Sequence, residues 1–458
     1  MLGRMPPRGQ EMSDHYMAPP STTSAALGCM QEIQEQCFKL GIPLRTRHRE
    51  VAPNQYEFAP LFGSVTTQID QNLMVMQIIE EVSVKYGLAA LLHEKPFQGV
   101  NGSGKHNNWS IATDNGTNLL NVGQLAKNSG SSDIFPIVMS AIVSAVDKYG
   151  DLMRCAIATP GNDFRLGACE APPAIVSTYL GNDVTKYLES FKNGTDKPYE
   201  PTTKDLQMGA SALRPVTVPA EDRNRTSPFP YGGHRFEFRA VGSSQNVSLV
   251  NTVLASITAK SFKEFADAIE KGGKPKDVAR KALTESWKVI FNGNGYDAAN
   301  QKALTESGVW RIDSGVEAMA RYTAPKNVSM FEELKVLTAE ECTSRQTVML
   351  GHYVGTVEIE VQCMIDMINQ HIIPACKQAS VGPVKELATA VAGLQKSLAA
   401  IHHAGTLLEK ANLARTLRLE EMIQVRTVCD DAEAVVPASL WTLGTYKELL
   451  FLDHNTEW

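Results

Sequence analysis

The chain has 458 residues, 43% hydrophobic and 21% charged, a globular composition with material for several ordinary domains or one large enzyme. Its 44 basic and 50 acidic residues leave a net charge of −6 with no long run of one sign, which argues against a non-specific nucleic-acid binder or a polybasic membrane-surface protein. No apolar stretch nears the roughly 18–20 residues that span a bilayer, the N-terminus lacks the apolar core of a secretory signal, and the eight cysteines include no CxxC pair, so a reduced cytoplasmic or organellar protein is expected.

After a polar, Pro-rich start, Met30 to Leu40 reads as a short amphipathic helix ending at Gly41. Arg45 to Pro60 alternates and is punctuated by turn residues, which predicts strand pieces. Ile69, Leu73, Met76, Ile79, Val82 and Tyr86 keep helical spacing and stop at Gly87. The apolar run Leu88 to Leu92 is expected to be a buried strand feeding a Gly-rich segment around Asn101, and Phe135 to Met153 is expected to be helical. Residues 160–245 are dense in Pro, Gly and Arg, as expected of loops carried on a sheet. Beyond about residue 245 the pattern is mostly helical, with a loop at Phe291–Tyr296. Val384, Leu387, Val391, Leu394, Leu398, Ile401 and Leu408 follow a heptad with Gly405 as its weak position. That spacing fits an antiparallel helical hairpin, ordinary packing inside the subunit, or a short coiled-coil seam.

Four constellations carry possible chemistry. Glu50 and Glu57 flank Pro53-Asn54, a turn signal that lets two acids of opposite strand parity converge. Paired carboxylates are what Mg²⁺ or Mn²⁺ needs, although two solvated acids beside a hairpin would give the same string. Gly99 to His106 (GVNGSGKH) nearly satisfies a phosphate-binding loop, but His106 stands where a cation-binding hydroxyl is required. A loop presenting backbone amides to an anion, with His106 as a metal ligand, is the better reading; a structural loop histidine is the other. Arg223 and Arg225 precede Arg235-Phe236-Glu237-Phe238-Arg239, where alternation puts the charges on one face and the aromatics on the other. The charged face either lines a polar site or is a surface ion-pair row, and guanidinium forks suit carboxylate and phosphate oxygens. Finally, Arg165 and Glu170 flank Gly167 in a loop closed by Pro172-Pro173, the composition of a movable flap or of a plain surface loop.

Taken together, these segments resemble glutamine synthetase, specifically its type III branch. The matching strings are RHREVAPNQYEFAP, LLHEKPFQGVNGSGKHNNWS, FRLGACEAPPAI, DRNRTSPF, HRFEFRAVGSSQ and FNGNGY, and the resemblance runs from about residue 3 to the C-terminal helices. It implies an α+β fold, a catalytic barrel of curved antiparallel sheet with outer helices over residues 1–290, followed by a C-terminal helical region over residues 291–458. It implies an enzyme that uses ATP and Mg²⁺ or Mn²⁺ to join glutamate and ammonia through γ-glutamyl phosphate. By the same resemblance, Glu50 and Glu57 would hold one metal, and His106 and Glu237 the other. Asn101, Gly102, Arg165 and Arg239 would contact glutamate, and Asn108, Ser110 and Arg235 the nucleotide. Arg225 and Arg235 would neutralise the transferring phosphoryl group, and Glu170 would be the flap acid that helps deprotonate ammonium.

The family's Glu-x-Glu metal segment and its N-terminal β-grasp domain have no match here, so each metal is expected to keep two protein ligands. Members of the family form homo-oligomers, and assembly is expected to suffer without that domain. Neither a nucleic-acid nor a membrane partner is expected. An inactive, truncated relative that binds nucleotide or glutamate, or regulates full-length subunits, is the alternative from another class. A guanidino kinase, the third reading, would need a reactive cysteine, for which Cys169 is the candidate.

Overall fold

The computed structural model describes residues 24–50, 52–128, 133–168, 171–202, 204–206, 216–218 and 225–450. These form two compact units. One takes in the chain up to Leu92, Pro96–Asn101 and everything from Thr343 onward; the other takes in His93–Lys95 and Gly102–Cys342. The boundary expected at residue 290 falls inside the second unit.

The first unit opens with α1 (Ser24–Lys39), the hairpin β1 (Leu44–Arg49) and β2 (Tyr56–Pro60), and α2 (Val65–Lys85). Cys29, Ile33 and Cys37 recur every fourth residue on α1 and meet Val75, Ile78 and Val82 of α2, with Ile42 and Leu44 closing the cluster. Each such aliphatic side chain contributes about 2 kcal/mol of burial. Gly41 and Gly87 follow the two helices with φ of 75° and 65°. At the second, the Leu88 amide reaches back to the Ser83 carbonyl (2.9 Å), the left-handed termination that glycine allows. The run Leu88–Leu92 is not a strand. Its backbone takes no regular secondary structure, and Leu91 is 61% exposed; the buried side chain hereabouts is the carboxylate of Glu94.

The second unit is built around β3 (Gly104–Trp109), α3 (Val122–Asn128), α4 (Ile134–Ala156), α5 (Pro160–Arg165), β4 (Thr178–Tyr179), α6 (Asn182–Lys192), β5 (Lys204–Leu206), β6 (Val216–Val218), β7 (Phe229–Pro230), β8 (Phe236–Gly242), α7 (Ser248–Glu270), α8 (Pro275–Glu285), α9 (Ala298–Glu306), α10 (Gly315–Ala320) and α11 (Pro325–Glu333). Helix α4 is its core, apolar on nearly every side and packed against α7 and α8. The one cation deep on α4, Arg154, donates through Nε to the Ile312 carbonyl (2.8 Å) and pairs through Nη2 with the buried Asp163 (3.4 Å). Phe229 stacks on Phe236 at 4.4 Å and meets Phe238 edge-on at 5.8 Å, so both aromatics of β8 share one face.

The remaining helices return to the first unit: α12 (Ala339–Met367, which begins in the second), α13 (Ile373–Ala379), α14 (Val384–His403), α15 (Leu407–Thr416), α16 (Met422–Val435) and α17 (Tyr446–Leu450). Single π-turns at Ile368–Ile372 and Leu417–Glu421 interrupt them; the first precedes Pro374, whose ring does not fit behind the carbonyl of a regular turn. Leu387, Val391, Leu394 and Ile401 are buried as the heptad predicts, but Leu408 is 41% exposed. The seam ends at His403, because Thr406 starts a new helix with a capping box to Glu409.

The expected mixture of helix and sheet is present. The expected closed barrel is not found among the described residues: their strands pair as β1–β2, β3–β8, β4–β7 and β5–β6, in separate two-stranded sheets. No helix among them is long and apolar enough to cross a membrane.

Candidate functional site

In the first unit the hairpin places a histidine and two acids together. The antiparallel register sets His48 opposite Glu57, and Glu50 follows two positions on, so all three share a face. The Glu50 amide bonds the Gln55 carbonyl (2.9 Å), and Asn54 turns the chain in the left-handed region at φ 54°. Its side chain donates to the Leu450 carbonyl at 2.9 Å. His48 Nε2 lies 2.8 Å from Glu50 Oε1 and 2.7 Å from Glu57 Oε2. One ligand atom from each residue falls within 4.8 Å of the others, a grouping able to hold a metal ion. The turn therefore converges the two acids as expected, and adds a histidine that sequence reasoning passed over. Its signal was there, since His48 and Glu50 stand at strand spacing.

In the second unit β3 and β8 run antiparallel, with Asn108 opposite Glu237. The register slips between Lys105 and Asn107, so Arg239 and Ala240 together face His106, a bulge that re-aims the side chains beside it. His106 Nδ1 lies 3.1 Å from Glu237 Oε1, and Arg239 Nε lies 3.8 Å from the same oxygen. Glu237 and Arg239 are each only 6% exposed, which decides against a surface ion-pair row. Burial pushes the His106 imidazole below its ordinary range; the Glu237 hydrogen bond opposes this and the Arg239 charge adds to it. A neutral imidazole is the form that ligates. Arg235 Nε donates to Asn108 Oδ1 at 2.6 Å at the exposed end of the ladder, joining two of the residues expected at nucleotide; Ser110 follows β3, exposed.

Arg165 is 3% exposed and directs its guanidinium to main-chain carbonyls, Val241 (3.1 Å) and Arg239 (3.0 Å), and to Asn162 Oδ1 (3.4 Å). Asn162, fully buried, donates to the carbonyls of Ile157 and Ala240, each at 2.8 Å. Helix α5 is thus clamped to the bulge, and Arg165 supports Arg239 from behind. Asn101 is buried at 8% exposure, while Arg225 is exposed in the turn before β7. Glu170 and Cys169 lie outside the described residues. The FNGNGY loop is a brace: Asn292 Oδ1 accepts from the Leu180 and Gly181 amides (3.1 and 3.2 Å).

Sequence reasoning also missed Glu94, which is 1% exposed. Its Oε1 accepts from Ser244 Oγ (2.6 Å), the Ser244 amide (3.2 Å) and Thr159 Oγ1 (3.4 Å), and its carbonyl accepts from the Ser103 amide (2.8 Å). A methyl group at Gly161 or Gly242 would overlap its carboxylate, and one at Gly102 its carbonyl. One at Gly104 would overlap the Arg165 guanidinium. The glycines of the NGSG segment therefore make room for these buried polar groups, and their spacing was the available signal. Lys105 Nζ donates to the Gln245 carbonyl, and burial pushes its pKa down to about 8.

Comparison with known proteins matches residues 6–144 to the glutamine synthetase catalytic domain and residues 275–395 to the glutamine synthetase C-terminal domain. The chain is 36% identical to the type-3 glutamine synthetase of Dictyostelium discoideum, over 99% of its own length and 66% of that protein. It is 32% identical to the glutamine synthetases of Butyrivibrio fibrisolvens and Bacteroides fragilis, covering 98% of this chain and 68% and 67% of theirs. It thus spans about two thirds of the length of these relatives. Among solved structures it is similar to apo GmaS (TM-score 0.44, 16% identity, 74% of this chain and 67% of that one). It is also similar to Plasmodium falciparum glutamine synthetase (TM-score 0.40, 17% identity, 56% and 41%).

Proposed function

Since this chain belongs to the type III branch of the glutamine synthetase family, we propose that it carries the machinery for ATP-dependent ligation of ammonia to the γ-carboxylate of glutamate. The observation that carries the reading is the convergence of His48, Glu50 and Glu57 on one face of a hairpin. The chemistry needs divalent cations, and oxygen and imidazole donors of this kind suit them.

Glutamate's γ-carboxylate oxygen attacks the terminal phosphorus of ATP, the bond to the bridging oxygen breaks, and ADP leaves. Ammonia then attacks the acyl carbon of γ-glutamyl phosphate, and inorganic phosphate departs. Bound cations would offset the charge of the phosphates and the acyl phosphate. Glu50 and Glu57 would hold one, and His106 and Glu237 the other. Arg239 would bind a carboxylate of glutamate, with Arg165 holding the strand beneath it, and Asn101 and Gly102 are further candidates for contact with glutamate. Arg235 and Asn108 would seat the nucleotide with Ser110, and Arg225 and Arg235 would balance charge on the phosphoryl group as it moves. Glu170 would take the proton that ammonium loses.

The test is γ-glutamyl hydroxamate formation from glutamate, hydroxylamine, ATP and Mg²⁺ or Mn²⁺. Turnover that disappears in Glu237→Gln is the expected result. Absence of turnover together with intact cation-dependent nucleotide binding would replace the ligase with a binding relative.

A further inference from the structure

We propose that His48 is a third protein ligand of the hairpin site, and that its nitrogen makes the site prefer Mn²⁺ or a later first-row cation to Mg²⁺. The inference rests on the ligase reading for the presence of a cation, and goes beyond it in ligand identity and selectivity.

The ladder fixes the geometry. His48 faces Glu57 across the hairpin, and the two-residue period brings Glu50 to the same side. Both carboxylates approach one atom, Nε2, at 2.8 and 2.7 Å. An imidazole nitrogen carries at most one hydrogen, so it cannot donate a full hydrogen bond to two acceptors at once. Two anions closing on a single nitrogen are the arrangement a cation between the three atoms satisfies. Neighbouring ligands of an octahedral ion with bonds of about 2.1 Å stand about 3 Å apart, so a small outward movement of each side chain would admit one. The His48 side chain is 13% exposed, with Glu50 and Glu57 at 18% and 37%, leaving the open side to water or substrate oxygens. Donor chemistry then sets the preference. Mg²⁺ favours an all-oxygen shell, whereas imidazole suits Mn²⁺ weakly and Co²⁺, Ni²⁺ and Zn²⁺ increasingly.

The experiment uses the full chain with Mn²⁺ alone or Mg²⁺ alone, followed by calorimetry and by pulsed electron paramagnetic resonance of bound Mn²⁺. His106→Asn serves as background, so that the second candidate imidazole contributes no signal. In that background a nitrogen hyperfine coupling is expected. His48→Gln should abolish it and weaken Mn²⁺ about tenfold or more, while changing Mg²⁺ by less than about threefold. His48→Asp should carry an all-oxygen set and move the preference towards Mg²⁺, an outcome that a merely structural histidine would not give; it also stands in if His48→Gln does not fold. Coupling that survives His48→Gln, or Mn²⁺ affinity unchanged in both variants, overturns the proposal. Mn²⁺ bound without nitrogen coupling leaves the carboxylate site and removes only His48. Mn²⁺ affinity indifferent to Glu50→Gln and Glu57→Gln removes the hairpin cation itself, and with it the reading on which this one rests.

Discussion

The hairpin β1–β2 and the ladder β3–β8 use the same device, a histidine set beside glutamate on antiparallel strands, and are held by different means. In the hairpin the partners are near in sequence, and a single turn at Asn54 brings them together. Their side chains are 13–37% exposed. In the ladder, His106 and Glu237 come from distant parts of the chain, and Glu237 is buried. Their strands are held by groups from elsewhere in the chain: Arg165 and Asn162 from α5, and Glu94 at the turn after β8. A site closed by a local turn depends little on the rest of the fold. One assembled from afar stands on buried polar contacts, each costly to leave unmade.

That contrast predicts unequal damage. Arg165→Ala strips hydrogen bonds from two buried carbonyls and leaves a cavity, and should destabilise the protein by about 4 kcal/mol in denaturant unfolding. His48→Ala should cost about 1 kcal/mol or less, since its partners remain reachable by water. Equal losses would mean that the ladder is not the more dependent structure. Next in size is Glu94→Gln, which keeps the shape but exchanges an acceptor pair for an amide that cannot accept at every contact. A loss of about 2 kcal/mol is expected, with a raised KM for glutamate if Ser103 and Gly102 shift. Unchanged stability and KM would show that Glu94 fills space only. For binding, Glu50→Ala and Glu237→Ala should each abolish cation-dependent nucleotide binding by calorimetry, and retention in both would break the two-cation reading.

How much of this the sequence discloses follows from the same distinction. Helices α1 and α2 were legible because the apolar residues repeat at 3.6-residue spacing and stop at glycine. The hairpin was legible from Pro53-Asn54. Leu88–Leu92 misled because a short apolar run predicts burial without saying against what, and here Leu91 is 61% exposed. Helix α6 went unread inside a Pro- and Gly-dense stretch, although Val184, Tyr187, Leu188 and Phe191 keep helical spacing and are buried. Glu94 was illegible as a support, since a lone acid in LLHEKP discloses none of the three distant donors that make it a buried acceptor. Local patterns report local contacts; the β3–β8 bulge and its clamps depend on pairings that no short window contains.

The smallest effect tests the local half of the comparison most directly. Asn54 sits at φ 54°, where a Cβ is tolerated poorly, and its Nδ2 donates to the Leu450 carbonyl at 2.9 Å. Asn54→Gly removes the hydrogen bond and keeps the left-handed conformation easy; Asn54→Ala loses both. If the turn conformation sets the hairpin, the alanine variant should lose about 1 kcal/mol more than the glycine variant and bind Mn²⁺ more weakly, with the glycine variant close to wild type in binding. Equal losses in stability and Mn²⁺ affinity would mean that the tether to Leu450, far along the chain, holds Glu50 and Glu57 together. The hairpin would then be a long-range construction like the ladder, and its legibility from Pro53-Asn54 a coincidence of composition.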